Sequence, residues 1–163
     1  MSEANMVETR VSGLMMDENA QSPVVVLQEV GGRRSLPIWI GHAEAGAIAM
    51  QLAGKKFERP LTHDLMKTVI EGMKTSLEKV AVTELRENTF FAKIVLGREN
   101  EIISIDARPS DSIALALRMG APIYVAEDLF RIKGRKADPQ DSAQRLRDFL
   151  EGMDPEDFGN LSL

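Results

Sequence analysis

The chain has 163 residues, and its 20 Lys and Arg against 25 Asp and Glu give a net charge of −5. That length is enough for one domain that buries a core without metals or disulfides. The absence of cysteine excludes disulfides, Cys-ligated zinc, iron–sulfur clusters and thiol catalysis. The excess of acid argues against a generally basic, nucleic-acid-coating surface. No signal peptide and no apolar segment of about 20 residues is visible, so we expect a cytoplasmic protein with no membrane partner.

The first forty residues predict strands. Residues 24–27 form a β-branched run typical of a strand buried on both faces. Gly31 and Gly32 predict a two-residue hairpin turn, because both can adopt positive φ. The return strand, residues 34–40, contains Pro37, which cannot donate to a ladder and therefore favours an edge position or an irregularity near Pro37.

Two helices are predicted next. Gly41 can cap a helix over residues 43–53, whose many Ala and Gly residues indicate close packing inside the protein. Pro60 and Thr62 begin a second helix, in which apolar residues follow one face at helical spacing. The nine methionines of the chain, among them Met15, Met16, Met66 and Met73, are expected to fill the core rather than to form a binding surface.

The second half of the chain predicts a meander followed by a buried helix. Three strands with short loops between residues 77 and 106 indicate antiparallel pairing. Ser110 is expected to cap a helix over residues 111–119, and a short strand follows at residues 123–126.

These elements predict an α+β fold. We expect a single domain with a mixed, mostly antiparallel sheet of about six to eight strands and buried Ala-rich helices. Residues 1–132 are assigned to this domain. Residues 133–163 are assigned to a basic linker, a C-terminal helix over residues 140–151 and an acidic tail packed on or near the domain.

Two loops repeat one chemical pattern. Residues 59–64 and 106–111 each place Arg-Pro before a helix, then a hydroxyl residue and an aspartate at its start. Proline biases the preceding residue towards an extended conformation, so Arg59 and Arg108 should project from rigid positions. Because helix N-termini attract anions, Arg59, Arg108 and Ser110 are candidates for binding phosphate.

Nearby carboxylates and a histidine suggest metal-assisted hydrolysis. The oxygen ligands that Mg²⁺ or Mn²⁺ prefer could come from Glu44, Asp64, Asp106 and Asp111. His63 could be a further ligand or a general base, so the candidate catalytic residues are His63, Asp106 and Asp111. Capping and ion pairing explain the same residue types, since Asp and Ser are common at helix starts.

The segments LPIWIGHAEAGAIAMQLAG, RPLTHDL, TFFAKIVL and DARPSDSIALALRMGAPIYVAEDLF resemble the bifunctional nuclease domain family. The resemblance runs in colinear order over residues 6–130, and the combination of DxRPSDxxALALR with RPxTHDL is specific. It implies an intracellular α+β domain that often self-associates, with DNA and RNA cleavage in plant relatives. The site residues named above are chosen from chemistry on the shared motifs.

Three hypotheses follow from the sequence. The first is a metal-dependent nuclease that cleaves DNA or RNA. The second is a non-catalytic oligomeric module that binds a partner or a small anionic ligand through the Arg-Pro loops. The third gives these loops only a structural role, in which they cap helices and hold subunits together. We also expect a homo-oligomer, most simply a dimer, because one 18.0 kDa domain with small-sided helices leaves apolar surface uncovered.

Overall fold

A computed structural model gives the fold of residues 5–131, which form one seven-stranded sheet and three α-helices. The strands are β1 (Met6–Asp17), β2 (Ser22–Glu29), β3 (Ser35–Trp39), β4 (Ser76–Arg86), β5 (Thr89–Arg98), β6 (Glu101–Ala107) and β7 (Ile123–Ala126). The helices are α1 (His42–Leu52), α2 (Thr62–Gly72) and α3 (Pro109–Met119), and a 3₁₀ helix, Glu127–Arg131, follows β7. The predicted α+β class is confirmed.

The sheet is antiparallel except at one pair of strands. Its order is β3-β2-β1-β7-β4-β5-β6, and β7 runs parallel to β4. The predicted meander is β4-β5-β6, and its first turn uses Glu87 and Asn88, both at positive φ as a two-residue hairpin requires. The strand with Pro37 lies at one edge, as predicted, and β6 forms the other edge.

The core lies between the sheet and its helices. The small residues of α1 allow close packing against α3, so that Ala45, Ile48 and Ala49 are fully buried. Ile113 and Leu115 of α3 are also fully buried, and α3 packs directly on β4 and β5. Burying a side chain of this size contributes about 1.5–3 kcal/mol. The prediction that both helices are buried is confirmed.

Helix α2 leaves part of its apolar face uncovered. Met66 and Ile70 pack against the core, whereas Leu65, Val69 and Met73 are between 50% and 59% exposed. These three residues recur every four positions and therefore form one line, the α2 stripe. The prediction that the methionines fill the core is wrong for Met73, at the C-terminal end of this helix, and for Met16 of β1, which is 42% exposed.

Two predicted local features differ from the structure. Arg108 occupies the N-cap position of α3 and Pro109 the first helical position, so Ser110 is not the cap. Proline is favoured there because its missing N–H needs no partner. The β2–β3 connection spans residues 30–34 and is longer than a Gly31-Gly32 turn.

No helix within residues 5–131 has the length and apolar character to cross a membrane. The predicted domain boundary and the predicted helix over residues 140–151 lie outside the described residues.

Candidate functional site

The two Arg-Pro loops meet where the N-terminal ends of α2 and α3 lie side by side. His63 is the second residue of α2, and Asp111 is the third residue of α3. The Nε2 atom of His63 lies 3.0 Å from Oδ1 of Asp111. One side chain from each loop therefore enters the same contact.

Arg108 connects this pair to the first helix. Its Nε donates to Oδ2 of Asp111 at 2.8 Å, and its Nη1 lies 3.0 Å from Oε1 of Glu44 in the first turn of α1. The side chain of Arg108 is 64% exposed, whereas both carboxylates are mostly buried. We call Glu44, His63, Arg108 and Asp111 the His63 cluster. It presents a solvent-facing cation held by two carboxylates.

The contacts of Asp111 stabilise its charged form. Burial on its own raises the pKa of Asp111, but hydrogen bonds from Arg108 and His63 outweigh burial and hold this pKa below its usual value. The hydrogen bond to Asp111 and the further contact with Glu44 raise the pKa of Arg108. The pair is therefore a carboxylate and a guanidinium at neutral pH.

The imidazole of His63 has one nitrogen bound and one nitrogen open. Its side chain is 9% exposed, and Nδ1 makes no hydrogen bond with residues 5–131. In this part of the chain, no fully buried side-chain nitrogen or oxygen lacks a partner. Nδ1 must therefore reach solvent. An imidazole oriented by a carboxylate, with its other nitrogen open, has the arrangement of a general base.

Arg118 is the site residue that the sequence analysis missed. Its side chain is 4% exposed, and its Nε donates to Oδ1 of Asp64 at 2.8 Å. Its Nη1 and Nη2 donate to the carbonyls of Ala114 and Ala47, each at 2.9 Å. Arg118 therefore ties α1, α2 and α3 together. The available signal was a charge directly after the buried run 113–117, because a buried arginine needs partners.

The side chain of Asp64 binds the backbone at the start of α2. Its Oδ2 accepts the backbone N–H of Leu61 at 3.0 Å, while Oδ1 binds Arg118. Burial raises the pKa of Asp64, but the bonds from Leu61 and Arg118 outweigh it and lower this pKa. Arg59, in the same loop, is exposed and makes no hydrogen bond or ion pair with residues 5–131. Ser110 is buried in the first turn of α3.

Asp106 lies on the opposite face of the sheet from the helices. It pairs with exposed Lys93, whereas the next residue, Ala107, pairs with buried Ala92. Directly paired residues share a face and successive residues alternate between faces, so Asp106 points away from the core. The structure does not bring it together with the His63 cluster.

The four carboxylates proposed as metal ligands do not converge on one point. Glu44 and Asp111 both contact Arg108, and Asp64 is bound to Arg118. Within residues 5–131, no group of three or more His, Asp or Glu side chains could hold a metal ion. The residues thus do not fit a preformed Mg²⁺ or Mn²⁺ site, and the metal stays a prediction.

The structure defines the class of protein. It is an α+β domain in which three helices lie on a mixed sheet, with an Arg–Asp–His cluster at the N-termini of two helices. Residues 25–138 match the bifunctional nuclease domain family, and the chain belongs to that family. The resemblance found in the sequence is confirmed.

Relatives of two kinds share this similarity. An uncharacterized protein of Mycobacterium tuberculosis strain H37Rv is 40% identical over 164 residues, which cover 94% of this chain and 98% of that protein. Bifunctional nuclease 1 of Arabidopsis thaliana is 28% identical over 123 residues, which cover 73% of this chain and 38% of the plant protein. Bifunctional nuclease 1 of Oryza sativa subsp. japonica is 28% identical over 114 residues, 68% of this chain and 34% of that protein. The similarity to the plant proteins therefore covers little more than a third of their length.

Proposed function

We propose that the chain cleaves phosphodiester bonds of DNA or RNA at the His63 cluster. The observation that carries this proposal is the run of contacts from Arg108 through Asp111 to His63, at the junction of two helix N-termini. Membership of the bifunctional nuclease domain family supports it, as do the two plant relatives named bifunctional nucleases.

His63 is assigned the role of general base. Its hydrogen bond to Asp111 favours the tautomer with the proton on Nε2, which leaves a lone pair on Nδ1. Nδ1 then takes a proton from the water that attacks phosphorus, and Asp111 stabilises the imidazolium. As the bond from phosphorus to the sugar oxygen breaks, the leaving oxygen, which lies opposite the attacking water, takes a proton from solvent, and the imidazolium of His63 returns its proton to water. General base catalysis of this kind contributes about 10²–10⁴-fold to a rate.

Arg108 is assigned the contact to the phosphate. A guanidinium has five N–H donors, and its contacts with Asp111 and Glu44 leave others for phosphate oxygens on the exposed side. Two carboxylates against one guanidinium make the cluster net negative while His63 is neutral. A second cation is therefore needed to attract a phosphate, and exposed Arg59, in the same loop as His63, is the candidate.

Cleavage assays with the full-length chain on DNA and RNA test this assignment. We expect His63→Gln to lower kcat by about 10²–10⁴-fold, because it removes the base. Asp111→Asn should lower kcat as well, while its matched control Asp128→Asn, which changes an exposed carboxylate of the 3₁₀ helix, should not. Undiminished cleavage by a folded His63→Gln protein, with circular dichroism as the check on folding, would contradict the proposal.

The same assay with EDTA tests the more specific hypothesis of metal dependence. Loss of cleavage that added Mg²⁺ or Mn²⁺ restores would support a metal that arrives with the substrate, since Arg108 already binds two of the four candidate ligands. Cleavage that survives EDTA would support a route through His63, Asp111 and Arg108 alone.

A second function is favoured by the pairing of Arg108 with two carboxylates, which is also the environment of a structural arginine. If Arg108 is structural, the protein is a non-catalytic module, and exposed Arg59 binds a small anionic ligand or a partner. A ligand that binds only the folded state raises the melting temperature. A rise in melting temperature with phosphate or nucleotides, without any cleavage, would therefore support this second function over the first.

A further inference from the structure

The α1–α2 loop, residues 53–61, carries a local excess of positive charge. Its cations Lys55, Lys56 and Arg59 outnumber its one carboxylate, Glu58, on a chain with a net charge of −5. The three cations are exposed, and none of them forms an ion pair within residues 5–131. The loop therefore attracts anions although the chain as a whole is acidic.

An aromatic ring lies among these cations. The side chain of Phe57 is 44% exposed and does not belong to the hydrophobic core, whereas Phe90 and Phe130 pack against it. A single exposed apolar side chain is common on protein surfaces and indicates nothing by itself. Phe57, however, directly follows Lys56 and precedes Arg59 by two positions. An exposed ring flanked by cations is the combination that binds single-stranded nucleic acids, by stacking on bases and by contacts to phosphates.

Hydrogen bonds hold both ends of the loop. At the end of α1, Gly54 adopts a positive φ of 66°, and the N–H of Lys55 donates to the carbonyl of Met50 at 3.0 Å. At the start of α2, the N–H of Leu61 donates to Oδ2 of Asp64 at 3.0 Å. The ring and the cations thus lie on a short segment between anchored ends, which lowers the entropy cost of binding a ligand.

The loop leads directly to the His63 cluster. Arg59 and Phe57 precede His63 by four and six positions. Because a chain extends by at most about 3.6 Å per residue, the Cα atoms of Phe57 and His63 lie within about 22 Å of each other. About six nucleotides of a stacked strand span that distance, at about 3.4 Å each. A strand bound at the loop can therefore reach the cluster.

We propose that the α1–α2 loop binds single-stranded nucleic acid, with Phe57 stacked on a base and the three cations on neighbouring phosphates. A base inside a duplex has both faces covered by its neighbours, so the ring selects a strand whose bases are unstacked. Base faces and phosphates are common to DNA and RNA, and the loop accepts both. The consequence for substrate choice rests on the cleavage proposed for the His63 cluster, because the loop selects the form of nucleic acid that reaches it.

Fluorescence anisotropy on the full chain tests the proposal, with an oligothymidine of about 16 nucleotides and its duplex with oligoadenine as probes. We expect tighter binding of the single strand. Phe57→Leu should weaken this binding by about 5-fold or more and leave duplex binding unchanged, because leucine keeps the apolar surface without the ring. Phe57→Tyr keeps the ring and should bind as the wild type does. Circular dichroism checks that both variants are folded.

The matched control is Trp39→Leu. Trp39 is also aromatic and 51% exposed, but it follows Ile38 of the core and so lies on the sheet face turned away from the helices. Its replacement should leave single-strand binding unchanged. Equal affinities of the wild type for the two probes, or equal losses for Phe57→Leu and Trp39→Leu, overturn the proposal.

A second variant tests the phosphate contacts. Lys56→Ala should weaken single-strand binding and reduce the slope of log K against log salt by about 0.7, whereas Lys93→Ala, on the sheet face turned away from the helices, should not. An unchanged slope for Lys56→Ala overturns the proposal. Polyglutamate that displaces oligothymidine at equal charge concentration also overturns it, because the loop would then bind any polyanion.

Binding and cleavage are scored separately on the same probes. Single-strand binding that depends on Phe57 but is not followed by cleavage supports the loop assignment and contradicts the nuclease proposal. Cleavage of both probes at equal rates, unchanged in Phe57→Leu, overturns the loop assignment and leaves the role of the His63 cluster intact.

Discussion

The loops before α2 and α3 share one sequence pattern but hold their arginines differently. Arg108 forms ion pairs with two carboxylates, whereas Arg59 makes no hydrogen bond or ion pair in the described part of the chain. The two arginines stand at different positions relative to their helices. Arg108 is the N-cap residue of α3 and precedes Asp111 by three residues, whereas Arg59 precedes the N-cap residue Leu61 by two residues and Asp64 by five. Asp64 binds Arg118 instead, which lies 54 positions further along the chain. The spacing between arginine and aspartate therefore separates the two loops.

Among the variants that test this comparison, removal of Arg118 should have the largest effect on the free energy of unfolding. Arg118→Met leaves the Asp64 carboxylate without its ion pair and takes the donors from two backbone carbonyls. We expect the free energy of unfolding to fall by about 1–3 kcal/mol, because buried backbone carbonyls lose their donor, while the Asp64 carboxylate is 36% exposed and can be solvated. Urea denaturation at neutral pH measures this change.

Arg108→Met is the matched control for that experiment. The side chain of Arg108 is 64% exposed, so its loss should lower the free energy of unfolding by no more than about 1 kcal/mol. Equal losses for the two variants would contradict the distinction between a buried and an exposed arginine.

The sequence predicted what depends on local pattern. The meander, the edge position of the strand with Pro37 and the burial of α1 and α3 follow from alternation, from proline chemistry and from apolar residues on several helix faces. Periodicity could not predict that only half of the apolar face of α2 is covered, because a helical pattern identifies a face without saying what packs on it.

The site was harder to predict because its partners are distant in sequence. The contact of His63 with Asp111 crosses 48 positions, and that of Asp64 with Arg118 crosses 54. No spacing rule connects such residues. The orientation of Asp106 was accessible, since it follows from strict alternation with Ile105 and Ala107 once β6 is recognised as a strand.

The lowered pKa of Asp111 allows a pH-dependent test of the contacts at the start of α3, with a smaller expected effect on stability. A carboxyl group with a lowered pKa stabilises the fold above its ordinary value of about 3.9 and loses this contribution as pH falls through the folded-state pKa. Asp111→Asn should therefore lower the free energy of unfolding by about 1 kcal/mol near neutral pH. Urea titrations at several pH values should show the gap to wild type closing below about pH 3.9. A gap that stays constant into this acidic range would show that the charge of Asp111 contributes nothing.

Removal of the free arginine should have the smallest effect on folding. Arg59 is exposed and makes no hydrogen bond or ion pair within residues 5–131, so Arg59→Ala should change the free energy of unfolding by less than about 0.5 kcal/mol. If Arg59 attracts phosphate, the same variant should weaken DNA binding and reduce the slope of log K against log salt by about 1. Fluorescence anisotropy at several salt concentrations measures that slope, and Lys93→Ala, at an exposed lysine on the sheet face turned away from the helices, is the control. Arg108 cannot replace Arg59 in this test, because its removal also frees two carboxylates that repel phosphate. An Arg59→Ala protein with an unchanged slope would remove Arg59 from the phosphate site and leave the cluster without its second cation.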